Sequence, residues 1–302
     1  MNFLILILTV SSAILLARLI FVKVEIRNIM NQLNDYNDLK LHKKIDVRLF
    51  DSDIENLAEC INRHIDINIR DKAIQKQTEY EIRKSIASVS HDLRTPLTSI
   101  IGYLEMIKSG KVTLEKQYEY MDIALKRAYF LKELLNNFFE LSIIESPEYN
   151  IELDYVNLNN ILCEVITAFY DSFVNKEIVP EINLPDEDMI VAANKAASKR
   201  VIQNLISNII EHAQGKVSIT LKKDGEFAVV ITSNTTKNLN VHDVNLLFNR
   251  FYKSDPSRSY GMNAGLGLAI AKSLMDKMNG LIYGRLDKNI LYIFCKWKLI
   301  KK

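Results

Sequence analysis

The sequence has 302 residues, of which 48% are hydrophobic and 25% are charged. This length suits two or three modules, and the composition excludes collagen-like and disordered chains. A formal net charge of +2 predicts no nucleic-acid partner, and three widely spaced cysteines give neither a metal-ligand pair nor a disulfide framework.

The first predicted element is an apolar helix over residues 3–22, in which Arg18 is the one charged residue. About 20 apolar residues cross a hydrocarbon core of roughly 30 Å, whereas a cleaved signal peptide fits less well because no basic residue precedes the run. Arg18, Lys23 and Arg27 lie at its C-terminal side, so the positive-inside rule predicts a single-pass membrane protein with cytoplasmic domains. We assign residues 1–23 to this span. We expect no extracellular sensor domain, and an input from the bilayer or a membrane partner such as a transporter.

Residues 24–80 are predicted to form a linker of two short amphipathic helices around an extended connector. Two apolar stripes have helical spacing, namely Ile26, Ile29 and Leu33, and then Ile54, Leu57, Ile61 and Ile65. Between them, Ile45, Val47 and Leu49 alternate with polar residues. This order, directly after a membrane span, resembles a HAMP signal-relay module, although any short coiled-coil linker would give a similar pattern.

Residues 81–147 are predicted to form a helical hairpin. Apolar residues recur every three or four positions from Ile82 to Ile107 and again from Tyr118 to Leu141, and Ser109-Gly110 separates the two helices. Two antiparallel helices cannot bury such wide apolar faces alone. We therefore expect a homodimer in which two hairpins form a four-helix bundle.

Residues 148–302 show a mixed pattern of helices and strands. Helices are predicted to begin after Asn157 and to cover residues 194–212 and 266–278. Strands are predicted around an Asp224-Gly225 turn and around a last turn at residues 287–289, with a loop-rich stretch from 233 to 264. Helices on one face of a mostly antiparallel sheet make an α/β sandwich, so the predicted fold class is α+β multidomain.

The most specific string is Ser90-His91-Asp92-Leu93-Arg94-Thr95-Pro96-Leu97 in the first hairpin helix. His91 lies off the apolar stripe and is expected to face outward, with Thr95 one turn further on the same face. The neighbouring Asp92 can accept an imidazole proton and so make the other ring nitrogen more nucleophilic. Pro96 lacks an N–H group, so we expect the helix to bend or loosen there.

This string resembles the phosphoacceptor motif of two-component sensor histidine kinases. The resemblance implies that His91 accepts a phosphoryl group, that Asp92 acts as general base, and that Thr95 positions water for dephosphorylating a response regulator receiver domain. An exposed histidine beside a kinked helix is the alternative, which would explain a lone histidine better than the whole string.

Two asparagines, Asn204 and Asn208, lie one turn apart on the predicted helix over residues 194–212. Neutral amide oxygens suit a Mg²⁺ ion that already carries phosphate and water ligands. The pair resembles the Asn-rich helix of Bergerat-type ATP-binding domains, which implies that Asn208 is the Mg²⁺ ligand and Asn204 its helper. Two solvated asparagines on a surface helix are the alternative.

The residues that follow keep the order of the same family: an aromatic-basic segment, a polar loop and a Gly-rich turn that opens a helix. The cations predicted to meet the triphosphate of ATP are Arg250, Lys253 and Arg258. The backbone predicted to approach the phosphates is that of Gly265, Leu266 and Gly267.

Three residues depart from the family pattern. Asn234 stands where the family usually has an aspartate that accepts the adenine amino group, and an amide oxygen is the weaker acceptor. Glu211 would repel phosphate if it pointed inward, and Asn263 replaces a glycine. The resemblance implies an ATP- and Mg²⁺-dependent protein-histidine kinase that phosphorylates His91. The alternative is a catalytically weak, membrane-tethered dimeric scaffold that docks a response regulator.

Overall fold

The structure is a computed structural model that describes residues 2–37, 44–47, 51–237, 239–252 and 265–300. It divides into two compact units, Met1–Lys84 and Ser85–Lys302.

The first unit begins with α1 (Asn2–Asn37). Residues 3–21 are exposed, and within the described residues Phe3–Tyr36 is the one helix long and apolar enough to cross a membrane. The predicted span therefore lies in a helix, but this helix continues to Asn37 and includes the amphipathic stripe that was expected in a separate element. Neither Gly nor Pro, the strongest breakers of a helix, occurs in this stretch.

The described part of the connector between α1 and the following helix, residues 44–47, has no regular secondary structure, and its Ile45 packs in a small core with Ile29, Ile54, Ala58 and Ile65. The side-chain amide of Asn62 accepts from the Ile45 N–H at 2.8 Å and donates to the Ile45 carbonyl at 2.9 Å. Gln32 makes the same pair of bonds with Asp46, both at 2.9 Å. These two amides give the connector the backbone partners that a neighbouring strand would supply.

The next helix, α2 (Ser52–Lys108), is uninterrupted and passes through Pro96. The sequence predicted a short linker helix followed by a separate long helix, but the two are one element. Pro96 is buried, and the helix continues on both sides of it despite the N–H group that proline lacks.

The hairpin is completed by α3 (Leu114–Glu145), which Thr113 caps by accepting from the Lys116 N–H at 3.4 Å. Gly110 ends α2 with a φ of 67°, as its predicted role at the helix C-terminus requires. Many apolar side chains of the two helices remain exposed on the single chain, among them Leu97, Ile101, Leu104, Met121 and Leu125.

The rest of the second unit is a layered α/β structure. Its helices are α4 (Leu158–Ala168), α5 (Tyr170–Asn175), α6 (Lys195–His212) and α7 (Gly267–Lys277). They accompany a five-stranded sheet in the order β2-β4-β5-β7-β6, formed by β2 (Glu181–Asn183), β4 (Val217–Asp224), β5 (Phe227–Thr235), β6 (Leu281–Asp287) and β7 (Ile290–Lys298). The β2–β4 pair is parallel and the others are antiparallel, which confirms the α+β prediction.

Local signals predicted several of these boundaries correctly. The Asp224-Gly225 turn joins β4 to β5, and Gly225 has a φ of 60°. Asn157 caps α4 and Asn194 caps α6 through their side chains. The short helix α5 was not predicted, and neither were a small sheet that pairs β1 (Asp154–Asn157) with β3 (Ile190–Ala193) and a 3-10 helix over Val241–Phe248 in the stretch expected to be loop-rich.

Candidate functional site

His91 lies on an outward face of α2, with 74% of its side chain exposed. The apolar stripe of the helix faces the other way, since Val89 is buried and Leu93 packs against the same core. The imidazole is therefore accessible to another domain or molecule, as the residue spacing predicts.

Asp92 and Thr95 both follow His91 in α2, one and four residues further along the helix. The Asp92 Oδ1 atom is 3.5 Å from Nδ1 of His91, which leaves Nε2 on the far side of the ring. A proton on Nδ1, held by the carboxylate, corresponds to the tautomer in which Nε2 carries the lone pair. The Thr95 hydroxyl donates to the His91 carbonyl at 3.2 Å, so it is held against the helix one turn from the imidazole.

The second polar centre is formed where α6 meets α7. Asn204 is only 8% exposed, and its Nδ2 atom is buried without a hydrogen-bond partner among the described residues. A Cβ atom added to Gly267 would lie 3.1 Å from the Asn204 Oδ1 atom, so α7 reaches this amide closely because it begins with glycine. A buried unpaired donor costs about 1–3 kcal/mol, which indicates a place shaped for a polar ligand. Asn208 is half-buried one turn further along α6.

The turn before α7 is restricted to glycine by its backbone. Gly265 has a φ of 66°, and a Cβ atom there would lie 2.7 Å from the Tyr252 carbonyl oxygen. The Phe251 N–H donates to the Gly265 carbonyl at 3.0 Å, which holds the two sides of this turn together. Leu266 precedes α7 without a side-chain cap, so the first N–H groups of the helix are suited to an anion.

Asn234 lies in β5 between Val217 of β4 and Leu291 of β7, and it is only 3% exposed. Its Nδ2 atom donates to the Thr235 carbonyl at 3.3 Å. An amide that is held through its nitrogen offers its oxygen as the acceptor for a ligand.

This donor set fits a magnesium nucleotide. The described residues contain no cluster of three or more His, Cys, Asp or Glu side chains that could hold a metal ion. A hard cation here would therefore be held by amide oxygens together with the phosphates of its ligand. The helix N-terminus suits the phosphates, and the buried Asn234 amide suits a base.

The three predicted triphosphate-binding cations are not all assembled with this centre. Lys253 and Arg258 lie outside the described residues, as does Asn263. The Arg250 guanidinium instead pairs with Glu145 at the end of α3, with Nε donating to Oε1 at 3.1 Å and a second nitrogen paired with Oε2.

Sequence reasoning missed Glu145, which also accepts a hydrogen bond from the Ser273 hydroxyl at 3.5 Å. One signal was present in the sequence. A carboxylate in the last turn of a helix opposes the helix dipole, and α3 has no basic residue there to offset it. Such a carboxylate needs a cation from elsewhere in the fold.

Glu211, at the end of α6, has surroundings that disfavour its charge. Although part of the side chain is exposed, burial of the carboxyl raises its pKa to about 7, with a further rise from Glu133 of α3 and an opposing effect of Lys176. The charged groups that act on it therefore come from α3 and from the residue after α5.

Comparison with known proteins gives consistent matches along the second unit. Residues 81–147 match the His Kinase A (phospho-acceptor) domain, and residues 193–289 match the histidine kinase-, DNA gyrase B- and HSP90-like ATPase family. Sensor histidine kinase YcbM of Bacillus subtilis is 32% identical over 77% of this chain and 76% of YcbM. Sensor protein VanS of Enterococcus faecium is 26% identical over 85% of this chain and 65% of VanS.

The fold of this chain is also similar to that of a solved histidine kinase. Histidine kinase ThkA in complex with response regulator protein TrrA has a TM-score of 0.62 and 20% identity, over 77% of this chain and 66% of that chain. The phosphoacceptor and ATPase matches, together with YcbM, show that this chain belongs to the two-component sensor histidine kinases, which are ATP-binding protein-histidine kinases.

Proposed function

We propose that this chain transfers the γ-phosphoryl group of Mg-ATP to Nε2 of His91 and then passes it to an aspartate of a response regulator. The observation that carries the proposal is the exposed imidazole of His91, whose Nδ1 faces the Asp92 carboxylate. The Nε2 lone pair forms the bond to phosphorus while the bond to the bridging β–γ oxygen breaks and ADP leaves. Asp92 stabilises the positive charge that develops on the ring by holding the Nδ1 proton.

The nucleotide would be held by residues from three elements. Asn208 provides an amide oxygen for Mg²⁺, Asn204 supports it, and Asn234 accepts the adenine amino group. Bound Mg²⁺ would neutralise charge on the phosphates. The proposed phosphate donors are the N–H groups of Gly265, Leu266 and Gly267, with the side chains of Lys253, Arg258 and Arg250.

The proposed partner is a response regulator receiver domain. The likeness of fold to ThkA, which was solved with the response regulator protein TrrA, supports a similar partner here. Thr95 is the residue that we assign to dephosphorylation of the regulator, because its hydroxyl lies one turn from His91 and can orient the water molecule that attacks the phosphorylated aspartate and releases phosphate.

A homodimer at the membrane would complete this arrangement. The exposed apolar residues of α2 and α3, including Leu97, Leu104 and Leu125, would be covered by a second hairpin in a four-helix bundle. The exposed apolar surface of α1 supports a single-pass membrane location, with the signal coming from the bilayer or from a membrane protein such as a transporter. We assign residues 1–23 to the span, 24–80 to the relay linker, 81–147 to the phosphoacceptor domain and 148–302 to the ATP-binding domain.

The direct test uses [γ-³²P]ATP and the full-length protein in lipid nanodiscs. The wild type should acquire a label that is stable in base and lost in acid, as a phosphoramidate is, and His91→Gln should acquire none. Phosphoryl transfer would be followed by adding a receiver domain to the labelled protein. Equal labelling of the wild type and His91→Gln would exclude the proposed reaction.

A second candidate function is favoured by Asn234, which is neutral where a carboxylate would bind adenine more strongly. In that case the chain is a catalytically weak dimeric scaffold that docks a regulator. This candidate would be excluded if Mg-ATP labels His91 and the labelled protein passes its phosphoryl group to a receiver domain repeatedly.

A further inference from the structure

The C-terminal end of α3 is capped by side chains of the ATP-binding domain. Lys277 of α7 donates to the carbonyls of Ser146 and Tyr149, both at 2.9 Å, and Arg250 pairs with Glu145. The last turn of α3 has no basic residue of its own. The positive charge that a helix C-terminus favours therefore comes from a different domain.

A second contact lies slightly earlier on α3. The Arg200 Nε atom donates to both carboxylate oxygens of Glu140, at 2.9 and 3.1 Å, and another Arg200 nitrogen donates to Asn137 at 2.7 Å. Arg200 is one helical turn before Asn204, so this contact reaches the helix that carries the candidate magnesium ligands. The end of α3 thus holds the nucleotide-binding elements at more than one point.

Arg250 is less available to a nucleotide while it pairs with Glu145. It directly precedes Phe251, whose N–H bonds to Gly265, so its backbone lies beside the Gly-rich turn. A guanidinium group binds a carboxylate or a phosphate most strongly through two parallel hydrogen bonds, and Glu145 pairs with Nε and a second nitrogen of Arg250 and offsets its positive charge.

We infer that the Glu145 carboxylate is an internal competitor of the nucleotide phosphates for Arg250. The inference rests on the proposed use of ATP and adds a regulatory step to it. With Glu145 on Arg250, α3 holds the ATP-binding domain in a docked form that binds the triphosphate less tightly. When the triphosphate binds Arg250, the ion pair with Glu145 is lost and the contact between α3 and the ATP-binding domain weakens. Because coupling is reciprocal, docking and nucleotide binding weaken each other by the same factor.

The test measures nucleotide affinity in the full-length protein, in a His91→Gln background that prevents turnover. Glu145→Gln should lower the Kd for Mg-ATP about three- to fivefold, the range of a partly exposed ion pair. The Kd for adenosine should be unchanged, because adenosine has no phosphate to compete. Glu148→Gln, an exposed carboxylate just beyond α3, is the matched control and should bind Mg-ATP as the parent does.

A double-mutant cycle assigns the effect to Arg250. In an Arg250→Gln protein, adding Glu145→Gln should leave the Kd for Mg-ATP unchanged. In the His91→Gln protein, Mg-ATP should increase amide hydrogen exchange at residues 141–149, because the contact with Arg250 is lost there. Adenosine should not.

Two results would overturn the inference in distinguishable ways. If the parent protein does not bind Mg-ATP, both the competition and the proposed function fail. If the His91→Gln protein binds Mg-ATP and the added Glu145→Gln substitution leaves the Kd unchanged, only the competition fails. The same conclusion follows if Glu145→Gln also lowers the Kd in the Arg250→Gln protein.

Discussion

His91 and Asn204 are the centres of two polar sites with opposite surroundings. The His91 side chain is 74% exposed, and the residues that act with it lie within one turn of the same helix. Asn204 is 8% exposed, and its close neighbour Gly267 comes from α7, which is distant in the chain. A substitution at the exposed site can therefore leave the stability of the fold unchanged, whereas a substitution at the buried site changes both nucleotide binding and the free energy of unfolding.

The largest expected effect tests whether the exposed site is separate from nucleotide binding. Asp92→Asn keeps the size of the side chain but removes the charge that holds the Nδ1 proton of His91. We expect the rate of His91 labelling to fall about 100-fold, in the range of general acid–base catalysis, with an unchanged Kd for Mg-ATP. A comparable loss of nucleotide affinity would break the comparison, because the two sites would then not be independent.

The next largest effect concerns the buried site, where binding and stability should change in opposite directions. Asn204→Leu removes a buried donor that has no partner among the described residues. We expect the nucleotide-free protein to gain on the order of 1 kcal/mol and its thermal stabilisation by Mg-ATP to disappear. Gln203→Leu, at the preceding position of α6, should leave the stabilisation by Mg-ATP intact. Retained stabilisation in Asn204→Leu would argue against the assigned pocket.

Gly265→Ala tests the backbone of the same site. The new Cβ atom would meet the Tyr252 carbonyl at 2.7 Å in a residue with a φ of 66°. We expect a loss of about 1–3 kcal/mol, measured as a lower Tm. Gly102→Ala is a control of opposite sign, because it lies in a helix with no atom within 4 Å of the new Cβ and should stabilise α2 by about 0.5–1 kcal/mol. Equal Tm values for the two variants would contradict the strain argument.

The smallest effect is a pH dependence that belongs to Glu211. Its pKa in the folded protein is about 7, compared with an ordinary value of 4.5, so the folded state favours the protonated form. The stability cost of ionising Glu211 therefore grows as pH rises from 4.5 to 7 and is complete above that. Glu211→Gln should raise Tm more at pH 8 than at pH 5. Glu133→Gln, which removes one cause of the shift, should act in the same direction more weakly. A benefit that is largest at pH 5 would have the wrong sign.

The same difference between local and distant contacts explains what the sequence could predict. The Asn157 cap, the helix that begins near Asn194 and the Asp224-Gly225 turn depend on neighbouring residues, and all three are confirmed. The pairing of β1 with β3 and the contact of Glu145 with Arg250 join residues far apart in the chain, and neither was predicted. The continuity of α2 was also missed, because helix periodicity alone does not mark where one helix stops and another begins.

The connector of the first unit limits how α1 can move relative to the start of α2. Gln32 and Asn62 hold adjacent connector residues through four hydrogen bonds, each with both an N–H and a carbonyl partner. A slide of either helix along the other would break bonds worth about 0.5–1.5 kcal/mol each, and would break them together. These bonds therefore favour a single register, which a force along either helix changes only if all four break together.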